Sequence, residues 1–354
     1  MSVVTLPVAF PPITSYPLIA NIFSILWANK NDSLPWFADH YIQLHATWHK
    51  RWHNDRVTWF NFYDADFLNK IHPADYCPYL LTQSIDKTSF DKNKFCFIDF
   101  IESQINNGYY VVTHLNQFYL SSSRHHENKD YMHPTFIYGY DYNNKTVFVS
   151  DFYDNGKYVS KTVAYDEINQ SYNFDHLSSN APMEHYGITL YKYTPSRYQT
   201  NTTLLKQTLT DYVQGIDSTR RYFYSSQFQF ANSKVDDSFY GINCYDMLNA
   251  HIDFNQNNET TLDIRPFHLL CDHKNSMKIR IEYLSFISVI ANSEKVELLL
   301  LCENLIQQTV LFRNLALKCM IKNDKNILGT LHENCYALKK LDREFMMALL
   351  QVLL

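Results

Sequence analysis

The stretch Met132-His-Pro-Thr-Phe-Ile-Tyr-Gly-Tyr-Asp141, with Tyr142-Asn-Asn-Lys145 and Thr146-Val-Phe-Val-Ser-Asp151 after it, decides how this chain is read. Residues 135–140 and 146–150 are rich in β-branched and aromatic side chains, and turn-formers fill 141–145 between them. The two runs are therefore predicted to pair as a hairpin. Its open ends carry His133 and Asp151, which the pairing brings together. An imidazole held by a carboxylate is a general base with an orienting group.

Such a pair needs a nucleophile. Cys77 follows Ile71-His-Pro-Ala-Asp-Tyr76 and opens Pro78-Tyr-Leu-Leu-Thr-Gln-Ser-Ile85, whose apolar spacing predicts a helix. A thiol at a helix N-terminus is favoured as thiolate by the macrodipole and the free N–H groups. This makes Cys77 the candidate nucleophile, His133 the base and acid, and Asp151 the orienter. The plainer reading of any one free cysteine is an inert, buried side chain. Cys96, between Phe95 and Phe97, reads as core, as do Cys244, Cys271, Cys302, Cys319 and Cys335 in the second half. The N–H of Cys77 would serve a tetrahedral oxyanion. Asn69, His72, Asn116 and Tyr240 are the candidates for a further donor or for lining the substrate.

A chain of 354 residues, 46% apolar and 19% charged, has enough apolar surface for two cores. Its formal net charge of −5 supplies no basic field for nucleic acid or an anionic membrane. Residues 1–18 lack a basic start and carry prolines at 7, 11, 12 and 17, so no secretory leader is expected. No apolar run approaches the roughly 20 residues that span a bilayer. Seven scattered cysteines without a CxxC pair fit reduced thiols and a cytoplasmic protein.

Two apolar stretches, 16–27 and 36–53, are predicted as helices. A helix over 97–106 should end at Asn107-Gly108 and lead into a strand over 109–115. Strands are expected at 157–165 and 187–193, and a polar crossing at 194–203. Helices are then predicted over 204–216, 242–254, 265–286, 293–322 and 329–354. The fold class is thus α+β, with residues 1–195 as a mixed domain and 196–354 as a helical one covering or supporting the site. Tyr240, His268, Asp272 and His273 are the side chains expected to roof it.

Two histidine groups raise the question of metal: His45, His49 and His53 at helical spacing, and His125, His126 and His133 around one loop. The first set lies in an amphipathic surface pattern and the second reads as polar lining, so no metal and no cofactor is expected. The 27 Tyr and 24 Phe are not interleaved with Lys and Arg and read as core. With neither GxxxxGKT nor GxGxxG present, nucleotide chemistry is not expected.

The segments Gly108-Tyr-Tyr-Val-Val-Thr-His-Leu-Asn-Gln-Phe-Tyr-Leu120, His133–Asp141 and Val149-Ser-Asp151 resemble the butirosin biosynthesis protein H family. That family is related to C39-type, papain-like cysteine peptidases. Trp36-Phe-Ala-Asp-His-Tyr-Ile-Gln-Leu44, Phe239-Tyr-Gly-Ile-Asn-Cys-Tyr-Asp246 and Leu262-Asp-Ile-Arg-Pro-Phe-His-Leu-Leu-Cys-Asp-His-Lys274 extend the resemblance over nearly the whole chain. It implies a papain-like (C39 peptidase/transglutaminase-like) catalytic domain with a helical partner, and again Cys77, His133 and Asp151. It also implies an acyltransferase of thiotemplated antibiotic assembly, which takes an acyl group from a carrier protein's phosphopantetheine thioester and makes an amide with an amine. Papain-like enzymes carry a glutamine six residues before the cysteine, and Ile71 stands there. The rival readings are a cysteine peptidase or amidase, and a non-catalytic partner of a synthetase.

Overall fold

Contacts divide the chain into two units that are not colinear with the sequence. Met1–Ser33 and Ala74–Arg197 form the first, and Leu34–Pro73 and Tyr198–Leu354 form the second. The structure, a computed structural model, describes residues 2–49, 57–63, 74, 77–87, 90, 96–172, 187–218, 238–257 and 260–353. Among the described residues no helix is long and apolar enough to cross a membrane.

In chain order the elements begin with strand β1 (Val3–Thr5), helices α1 (Pro17–Ala28) and α2 (Lys30–Phe37), and strands β2 (Leu44–His49), β3 (Val57–Phe62) and β4 (Leu80–Ile85). Helix α3 (Phe97–Asn106) leads to strands β5 (Tyr110–Asn116), β6 (Met132–Asp141), β7 (Thr146–Phe152) and β8 (Tyr158–Ala164). Helix α4 (Tyr165–Tyr172), strand β9 (Ile188–Tyr193), helix α5 (Thr202–Gln214) and strand β10 (Ser238–Tyr240) come next. The chain closes with α6 (Cys244–Asn257), α7 (Arg265–Phe286), α8 (Asn292–Lys322) and α9 (Asn326–Leu353).

The first unit is built on one antiparallel sheet in the order β4-β9-β5-β6-β7-β8, with β1 pairing β6 beside Gly139–Asp141. The predicted hairpin is its centre: Phe136 pairs Ser150 and Asp141 pairs Thr146. Val111, Ile137, Val149 and Val163 point to one face, where they meet Ile101 and Ile105 of α3 and Ile168 of α4. Gly108, at φ +81°, turns the chain from α3 into β5, as its place after Asn107 predicts. On the other face α1 packs on β6 and β7. Tyr158 alternates with Val159 and so faces α1, where its Oη donates to Asn21 Oδ1 at 2.9 Å and lies 3.2 Å from Ser24 Oγ.

The second unit joins a three-stranded sheet, β10-β2-β3, to helices α5 to α9. Residues 34–73 thus group with the helices; of residues 36–53, expected as one helix, 36–37 end α2, 44–49 are strand β2, and 50–53 lie outside the described residues. Arg280 of α7, fully buried, ties them in. Its Nε donates to the Ala38 carbonyl at 2.7 Å, and its Nη2 to those of Phe37 and His40 at 3.0 and 2.6 Å. These are carbonyls at and beyond the C-terminal end of α2, where a cation also meets the negative end of the dipole.

A second buried charge, Lys274, stands six residues earlier on α7. Lys274 Nζ donates to Asp342 Oδ2 of α9 at 2.5 Å, to His273 Nδ1 at 2.8 Å and to Tyr212 Oη of α5 at 3.2 Å. His273 Nε2 donates to the Ile42 carbonyl at 2.8 Å, and its ring stacks on Tyr212. Burial keeps the His273 imidazole well below the usual histidine range, so it stays neutral and accepts from Lys274.

Candidate active site

His133 is the second residue of β6 and pairs with Leu115 of β5, so it stands at the rim of the sheet. Its Nδ1 lies 2.7 Å from Asp151 Oδ1, with the oxygen off the axis of the ring N–H, so the contact is that of an ion pair more than of a linear hydrogen bond. The Asp151 side chain is fully buried while that of His133 keeps 15% of its surface exposed. Burial of a carboxylate is costly unless its oxygens are bonded. Here Gln117 Nε2 and Thr135 Oγ1 donate to Oδ2 at 2.9 and 3.1 Å, and the Phe152 N–H donates to Oδ1 at 2.7 Å. Gln117 is itself aimed, because its Oε1 accepts from Ser123 Oγ at 2.8 Å.

Rings hold the imidazole from its other sides. Tyr131 stacks on it at 5.4 Å, and Phe152 meets it edge-on at 6.0 Å. His114, on β5, is pushed down to about 4 by burial and then by the charge on His133, so it stays neutral at physiological pH. Asp151 lies against the His133 ring and fixes its orientation, the arrangement of a general base with its orienter.

Sequence reasoning found His133 and Asp151 through the hairpin. It missed Thr135, which the period of two places on the face of His133, and Gln117, which nothing in the sequence marks. Asn116, a candidate for substrate lining, is fully buried and committed to structure. Its Nδ2 donates to Asp130 and its Oδ1 accepts from the Phe118 and Tyr131 N–H groups, which close the loop ahead of His133. Asn69, His72 and Ile71 lie outside the described residues, as does His53.

Tyr240, His268, Asp272 and His273 belong to the second unit. Tyr240 stacks on His45 at 5.0 Å, and His273 is sealed in the Lys274 network, which removes it from any role facing substrate. His45 and His49 are on strand β2 and not on a helix. His126 Nδ1 lies 3.0 Å from the Phe118 carbonyl, and the His125 ring packs on Tyr131. Among the described residues no three His, Cys, Asp or Glu side chains gather as metal ligands would.

Cys77 departs from expectation in two ways. Pro78 and Tyr79 form a turn, closed by the Leu80 N–H on the Cys77 carbonyl at 3.2 Å, and 80–85 is strand β4 and not a helix. The thiol is 4% exposed, and burial pushes it up to about 12, so it stays protonated at neutral pH. It also sits at the wrong end of the sheet. Leu80 pairs Tyr193, Tyr191 pairs Tyr110, and His133 pairs Leu115.

Leu80 is therefore two residues to one side of the Tyr110 row, and His133 is five to the other. Seven residues of strand are about 23 Å, and the three strand steps from β4 to β6 add about 14 Å across. A turn holds Cys77 within about 7 Å of Leu80, which does not close that distance. Cys77 and His133 are not brought together. Iodoacetamide at pH 7 is accordingly expected to modify exposed Cys96 well before Cys77 in the folded protein. Peptide mapping at a short time point checks this, and a first adduct on Cys77 would contradict it. No family model matches the chain, and no curated protein matches it.

Proposed function

We propose that the protein is an acyltransferase of papain-like architecture that makes amide bonds, taking its acyl group from a carrier protein's phosphopantetheine thioester. The observation that carries this reading is the buried Asp151, bonded by Gln117 and Thr135, against the half-open imidazole of His133. An imidazole so held can take a proton from a nucleophile and return it to a leaving thiol, and it can then take one from an attacking amine. Thioester to amide is downhill, so the chemistry needs no nucleotide. The sequence resemblance supplies the substrate class: a carrier-bound acyl donor and a primary amine acceptor. The cysteine at 77, which that resemblance would use, lies too far from His133 to serve.

The test is to supply an acyl N-acetylcysteamine thioester, and separately an acyl-loaded carrier protein, together with a primary amine. Amide formation by the wild type that is lost in His133→Ala is the expected result. Cleavage of peptides with no carrier present would make the protein a peptidase. Amide yield unchanged in His133→Ala, or no turnover from either donor, would overturn the proposal.

A further inference from the structure

Helix α8 packs on both α7 and α9, and one stripe of it accounts for that packing. Its buried residues follow one another from Leu298 to Cys319 at alternating steps of four and three residues. The opposite side of such a helix is expected to be polar. Here Val296, Leu300, Leu311 and Ile321 are each more than half exposed. Gln307, Asn314 and Lys318, also exposed, complete an outer stripe with them at the same helical spacing.

Exposed apolar residues scattered singly need no explanation. The charge beside this stripe gives these four one. Residues 292–306 hold Glu294, Glu297 and Glu303 against Lys295 alone, whereas 307–322 hold Arg313, Lys318 and Lys322 with no carboxylate. The helix dipole favours that order in the first and last turns, and both Glu297 and Lys318 lie deeper than those turns. Glu303 is engaged by Lys278 of α7 at 2.9 Å, and the Arg313 guanidinium by Asn314 at 3.0 Å. Glu297 therefore stands at one end of the outer face, with Lys318 and Lys322 at the other. A face with one acidic and one basic half matches its own copy when that copy runs the other way, and a two-fold axis supplies the reversal.

We propose that α8 is a self-association surface, on which a second copy of this chain lays its own α8 antiparallel about a two-fold axis level with Thr309. Turning the stripe end for end sets Val296 beside Ile321 of the partner subunit and Leu300 along the methylene stem of the partner's Lys318. Gln307 then meets the partner's Leu311 close to the axis. Apolar side chains that are spread out along one helix gather into three groups, one at each end and one at the centre. Glu297 comes to lie between the partner's Lys318 and the partner's Lys322. The surface belongs to the second unit, and nothing in the proposal depends on the acyl-transfer reading.

Sedimentation velocity on the full chain, over a wide range of concentration, is expected to show a monomer–dimer equilibrium. Leu300→Glu with Leu311→Glu is expected to raise the dimer Kd at least tenfold. Both positions are exposed, so circular dichroism and Tm are expected to stay at the wild-type values. Charge reversal tests the pairing itself. Glu297→Lys, and separately Lys318→Glu with Lys322→Glu, are each expected to weaken self-association, while an equimolar mixture of these two proteins regains it.

Direction is read by cross-linking in a Cys96→Ser background. Val296→Cys mixed with Ile321→Cys is expected to give, on mild oxidation, a disulfide joining one variant to the other. A monomer at every concentration would overturn the proposal. So would a dimer that survives Leu300→Glu with Leu311→Glu, charge variants that associate equally alone and mixed, or cross-links of each cysteine variant to itself.

Discussion

Replacing Asp151 by asparagine is expected to lower kcat with a thioester donor by about 10³- to 10⁴-fold, close to the loss from His133→Ala, since general acid–base catalysis contributes about 10²–10⁴ and an orienting carboxylate acts through the same ring. The reason lies in what surrounds the carboxylate. Oδ2 faces two donors, Gln117 Nε2 and Thr135 Oγ1, and Oδ1 faces the Phe152 N–H and His133 Nδ1. An asparagine has to point its NH2 at one of these pairs, so a donor meets donors in a buried site. Whichever way it turns, the ring loses either its orientation or the negative charge that stabilises its protonated form. The double variant is expected to be no slower than His133→Ala alone, because residues acting as one unit do not add. Steady-state kcat on the two single variants and the double, with circular dichroism to show that each folds, checks this. An Asp151→Asn enzyme within tenfold of the wild type would mean that the pair has no catalytic role.

The hairpin was legible because its signal is local. Turn-formers at 141–145 sit between two β-rich runs, and pairing follows from adjacency alone. The long helices were equally plain: α7 spans Arg265–Phe286 and α3 spans Phe97–Asn106, as their apolar spacing predicts. Strand β4 was not, since among the described residues it lies at the sheet edge with only β9 beside it. Its buried and exposed side chains do not alternate, and Leu80, Leu81 and Ile85 imitate helical spacing.

Strand β2 misled for the opposite reason. Leu44, His45, Ala46 and Thr47 are all buried, so the period of two has no polar face to reveal it. The grouping of 34–73 with the helical half was hidden as well. Arg280 and His273 hold that segment through the carbonyls of Phe37, Ala38, His40 and Ile42, and a carbonyl leaves no mark in a sequence. The Cys77 assignment failed at the same level. It took a helix from apolar spacing, and the missing helix took with it both the thiolate and the approach to His133.

Replacing Lys274 by methionine is expected to destabilise the second unit by about 3–5 kcal/mol, the usual result of removing one partner from a buried ion pair. Lys274 and Asp342 are both fully buried, and the ammonium donates to Asp342, His273 and Tyr212. Methionine fills much of the space but leaves the Asp342 carboxylate without its ammonium, facing neutral hydroxyls such as Tyr212 Oη at 2.6 Å. A carboxylate left buried without its counter-charge is the source of the loss. Adding Asp342→Leu removes the stranded charge, so the double variant is expected to recover most of the loss although it has fewer polar contacts than the single one. Urea unfolding of the three proteins measures both effects. If the single and double variants unfold alike, Asp342 is not the charge that Lys274 holds.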